Sequence, residues 1–61
     1  MLEITIIYKK HNAIEEFLVS NKEIALSIAQ LLSIDKLIKK VDVYDIKNNK
    51  IIFSKNTWQI K

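Results

Sequence analysis

The stretch SNKEIALSIAQLLSID, Ser20 to Asp35, decides the fold, because it is the one segment of the chain with a helical repeat. Ser20 and Glu23 match the S-x-x-E capping box, in which each side chain satisfies a free backbone N–H at the start of a helix. Ile24, Ile28, Leu31 and Leu32 follow at i, i+4, i+7 and i+8, with Ala25 and Ala29 widening the apolar stripe. Lys22, Ser27, Gln30 and Ser33 take the wet side. No glycine marks the end, so fraying is expected from Ser33 to Lys36.

On the N-terminal side, LEITIIYK alternates Leu2, Ile4, Ile6 and Tyr8 against Glu3, Thr5, Ile7 and Lys9, the period-2 pattern of a half-buried strand. KKHN supplies a turn, because Asn12 tolerates a positive φ. AIEEFLVS has a possible cap of its own in Asn12 and Glu15, but an eight-residue helix running into another helix start would be marginal. The strand reading is preferred. A two-residue turn at His11-Asn12 pairs Ile7 with Glu16, Ile6 with Phe17, Thr5 with Leu18 and Ile4 with Val19, which puts Ile4, Ile6, Phe17 and Val19 on one face.

On the C-terminal side, VDVYDIKNNKIIFSK reads as a second hairpin. With Asn48-Asn49 as a type I′ turn, Tyr44 pairs with Phe53, Ile46 with Ile51, Val43 with Ser54, and Asp42 with Lys55 as an ion pair. In the last residues, NTWQIK, Trp58 and Ile60 alternate as in extended chain.

The order strand, strand, helix, strand, strand, with a right-handed crossover that skips one place, gives a single α+β domain over residues 1–61. It is a two-layer ββαββ sandwich, one helix on a four-stranded antiparallel sheet of order 2-1-3-4. Val41 and Val43 are assigned to the helix side, because Asp42 would sit badly there. Tyr44, Ile46, Ile51 and Phe53 then join Ile7, Ile14 and Leu18 on the open side, and with Trp58 they are the predicted interaction surface. Such a patch would exceed what monomers usually leave exposed.

Composition narrows the chemistry. A chain of 61 residues buries only about 60% of its unfolded surface and usually needs a staple. Without cysteine there is no disulfide, and one histidine cannot build the usual zinc cages, which leaves oligomerisation. No apolar run is long enough to cross a bilayer, and Met1 leads straight into an amphipathic strand, so a cytoplasmic protein is expected. His11 falls in a turn, and Glu15 and Glu16, like Asp42 and Asp45, point to opposite faces. No glycine loop can cradle a phosphate. The sequence therefore predicts no catalytic residue, no metal and no cofactor, and a non-enzymatic module that self-associates, as a dimer, through its open face or an edge strand, or takes a protein partner.

The formal charge is +3 and all ten basic residues are lysine. With twelve Ile and five Asn, this is the composition of AT-rich codons, which accounts for the basic balance without a polyanion. The competing reading is a single-stranded nucleic-acid binder that stacks bases on Tyr44, Phe53 and Trp58 among Lys36, Lys39, Lys40, Lys47, Lys50 and Lys55. The strand motifs TIIYK, VDVYD and IIFSK are shared by many small sheets and carry no function by themselves.

Overall fold

A computed structural model describes residues 1–56. The elements are β1 (Leu2–Tyr8), β2 (Ile14–Val19), α1 (Lys22–Leu32), β3 (Ile38–Asp45) and β4 (Lys50–Asn56). All neighbouring strands are antiparallel and their order is β2-β1-β3-β4, as the pattern of elements implies. Trp58 and Ile60 lie outside the described residues. No helix among the described residues is long and apolar enough to cross a membrane.

The core is one layer of side chains between α1 and the two central strands. Leu2, Ile4 and Ile6 of β1 and Ile38, Val41 and Val43 of β3 are buried, and Ala25 and Ala29 of the helix are 0% exposed. The predicted helix stripe is therefore rotated. Ile28 and Leu32 pack on the core as expected, but Ile24 and Leu31 are 53% and 70% exposed. Ala25, Ile28, Ala29 and Leu32 form the i, i+3, i+4, i+7 face, and the two alanines let the helix backbone sit close over the branched residues of the sheet.

The helix ends also differ from expectation. Asn21, not Ser20, is the N-cap, its Oδ1 accepting from the Ile24 N–H at 3.0 Å. The C-terminal end is closed instead of frayed. The Ser33 N–H donates to the Ala29 carbonyl at 2.9 Å, the buried Ser33 hydroxyl to the Gln30 carbonyl at 2.7 Å, and the Leu37 N–H to the Asp35 carboxylate at 2.8 Å.

Both hairpins solve their turns without glycine. His11 and Asn12 have φ of 62° and 52°, and the Ala13 N–H reaches the Lys10 carbonyl, so the predicted turn forms. The strand register nevertheless slips by two, pairing Ile4 with Phe17 and Ile7 with Ile14. Lys9 and Lys10 loop out because the Tyr8 N–H already bonds the Ala13 carbonyl, while the Lys9 N–H turns to the Leu37 carbonyl. An even slip leaves every side chain on its expected face.

In the second hairpin the loop is Ile46 to Asn49, closed by the pair Asp45–Lys50, and only Asn49 has a positive φ, 57°. Asp45 builds this loop by accepting from the Asn48 side chain at 2.7 Å and its backbone N–H at 3.3 Å, and the side-chain bond from Asn48 holds the Asp45 carboxyl below its ordinary range. The Tyr44 hydroxyl bonds the Asn49 side chain. The longer loop shifts the pairing, and a bulge at Ile52 shifts it again, so Tyr44 faces Ile51 while Phe53 faces Val43. This odd shift turns Phe53 onto the helix side, where it packs against the core. Asp42 consequently faces Ser54, and the predicted Asp42–Lys55 ion pair is replaced by Lys40 and Asp42 at 3.8 Å. A second bulge beside Tyr8 lets both Ile38 and Val41 point inward although they are three residues apart.

The close helix approach makes a direct prediction. Ala25→Leu should lower the unfolding free energy by about 1–3 kcal/mol through overpacking, whereas Leu31→Ala should change it by no more than about 0.5 kcal/mol. Urea denaturation of the two variants checks the contrast.

Candidate interaction surface

The surface has three distinct features: the open sheet face, the β2 edge and a basic end. The strand registers arrange the open face in rows. One row is Leu18, Glu3, Tyr44 and Ile51; the next is Glu16, Thr5, Asp42 and Ser54; the third is Ile14, Ile7, Lys40 and Asn56. The predicted apolar patch is thus split by a polar row across its middle. Asp42 Oδ1, in that row, is buried and has no hydrogen-bond partner among the described residues. Covering this face would desolvate Glu3, Glu16 and Asp42 together, which is costly for carboxylates. Ile46 is exposed in the β3–β4 loop, apart from the rows.

The two edges of the sheet are unlike each other. β4 carries Lys50 and Lys55 and is interrupted by its bulge, the devices by which edge strands resist pairing. β2 is paired to β1 without interruption and carries no lysine. Every residue from Ile14 to Leu18 is exposed, Ile14 by 61% and Leu18 by 58%. Phe17, assigned to the core from the alternation, faces the helix side but is exposed at the edge. The Tyr8–Ala13 backbone bond fixes which groups of β2 look outward, because bonding alternates along an antiparallel ladder. The N–H and C=O groups of Ile14, Glu16 and Leu18 face away from β1.

The third feature lies where β1 ends and β3 begins. Lys9, Lys10, Lys36, Lys39, Lys40 and Lys55 all sit at this end of the sheet, against the acids Glu15 and Asp35, with Asp42 paired to Lys40 and Glu16 in the adjoining row. The opposite end balances Lys22, Lys47 and Lys50 with Glu3, Glu23 and Asp45. Lys39 is held to the Asn12 side chain at 3.0 Å, which ties β3 to the first turn. Between the lysines is an open depression of about 440 Å³ lined by Tyr8, Lys9, Lys10, His11, Ala13 and Leu37. The Tyr8 hydroxyl donates to Glu15 Oε1 at 2.7 Å, and this bond to a carboxylate is the main reason its pKa is raised.

Of the residues predicted to interact, Ile7, Ile14, Leu18, Tyr44 and Ile51 share the open face, Phe53 does not, and Trp58 is outside the described residues. Among the described residues no His, Asp or Glu cluster is arranged to hold a metal ion. No family model matches the chain, and no curated protein or solved structure matches it.

The Tyr8–Glu15 bond should show in the pH dependence of stability. A phenol whose folded pKa is raised contributes stability that is complete below its unfolded pKa, near 10, and lost as pH rises through the folded value. Tyr8→Phe should therefore be less stable than the parent at pH 8, with the difference shrinking above pH 10. Urea midpoints across that range read it out.

Proposed function

We propose that the protein is a small non-enzymatic interaction module that self-associates through β2. The observation that carries this reading is the β2 edge: a six-residue strand, paired to β1 without a bulge, whose apolar Ile14, Phe17 and Leu18 are exposed and which has neither the lysines nor the bulge of β4, its only charges being Glu15 and Glu16.

The occupant that fits the edge best is a second copy of the same strand. Two β2 strands related by a two-fold axis perpendicular to the sheet run antiparallel and keep both helices on one side. With Phe17 on the axis, it faces its own counterpart, Glu16 faces Leu18 of the second copy, and Glu15 faces Val19. The outward backbone groups of Glu16 and Leu18 then meet as hydrogen-bonded pairs. The neighbouring register sets Glu16 against Glu16, and like charges directly opposite are destabilising. The product is a continuous eight-stranded sheet, which supplies the staple that a chain of this length otherwise lacks.

Sedimentation equilibrium tests the reading. The parent chain should dimerise at micromolar concentration, and Leu18→Lys should weaken association at least tenfold, or about 1.4 kcal/mol. Ile51→Lys, on the far side of the open face, should leave it unchanged. A folded monomer at millimolar concentration, or a larger effect from Ile51→Lys than from Leu18→Lys, would overturn the proposal.

A further inference from the structure

We propose that the basic end is a binding site for single-stranded nucleic acid, with phosphates on the lysines and one base in the depression beside Tyr8. Codon bias explains how many lysines a chain has; it does not explain why six of ten converge on one end from three separate segments of sequence.

The charge and the shape of this end point to one ligand chemistry. The Lys9, Lys10, Lys36 and Lys55 side chains are exposed and make no ion pair among the described residues. Lys9 and Lys10 lie outside the β1–β2 pairing, between Tyr8 and the His11-Asn12 turn, where the Lys9 N–H bonds the Leu37 carbonyl. The depression beside them is also lined by Tyr8, His11, Ala13 and Leu37. An apolar hollow rimmed by cations suits a flat aromatic group joined to anions, as in a nucleotide chain. A duplex keeps its bases stacked inside, so only an unpaired strand can place one in the hollow. Lysine ammonium groups act as point charges and do not read base edges bidentately as arginine does, so little sequence preference is expected.

This site differs from the platform that composition alone suggested. Phe53 faces the helix side while Tyr44 lies on the open face, so those two rings do not form one stacking surface. The site adjoins the start of β2 through Ala13, while its lysines come from the chain before β2, the segment from Lys36 to Lys40 and β4.

Fluorescence anisotropy with a labelled 12-nucleotide single strand, at 50 and 200 mM salt, tests the proposal. About four phosphate contacts on a single strand should lower affinity roughly fifty-fold across that range. The exposed double variant K9E/K10E, checked for folding by circular dichroism, should lose most of the binding and flatten the salt dependence. An abasic strand of the same length should bind at least tenfold more weakly, as should the corresponding duplex. No binding at 50 mM salt would overturn the proposal. Equal binding of the intact and abasic strands, or of polyglutamate at matched charge, would also overturn it, since simple attraction between polyions would then be enough.

Discussion

A single short helix has to cover a four-stranded sheet, and it cannot. Eleven residues make a rod about 16 Å long and about 10 Å wide, while four strands span roughly 19 Å. The helix therefore buries β1 and β3 and leaves the edge strands to other means. The close seat of Ala25 and Ala29 on Ile4, Val41 and Val43 gives the chain a dry centre. Everything peripheral follows from the same shortage of cover. β4 folds Phe53 inward through a bulge and carries lysines, whereas β2 has neither bulge nor lysine.

Much of the fold was legible in residue patterns. The capped amphipathic run between two pairs of alternating segments implies the element order, and the crossover rule implies the strand order. Val41 and Val43 were placed correctly because an aspartate between them cannot face a helix. The faces of β1 and β2 survived a wrong register because the slip was even. Phe53 did not survive, because a bulge at Ile52 changes parity and nothing in IIFSK announces a bulge. The helix stripe was misjudged for a related reason. Side-chain size favours Ile24 and Leu31, but a tightly packed interface over branched residues favours alanine.

The surfaces were less legible than the core. Ile14 and Leu18 could be named from alternation, but their place on an edge without lysine or bulge depends on which strand ends up outermost. The basic end could not be read at all from runs of charge. Its lysines come from the first turn, the segment after the helix and the last described strand, and only the common direction of those ends brings them together. The open face, by contrast, lost standing once the rows were known, since Glu16, Thr5, Asp42 and Ser54 cross its middle.

The central claim is that the helix leaves β2 uncovered and that a second copy covers it. Amide hydrogen exchange by NMR at concentrations well below and well above the association midpoint addresses it residue by residue. The account predicts that the outward amides of Glu16 and Leu18 exchange rapidly in dilute solution and slow at high concentration, while those of Ile4 and Val43 stay protected throughout. Protection of Glu16 and Leu18 at the lowest concentration, or rapid exchange of both at the highest, would contradict it.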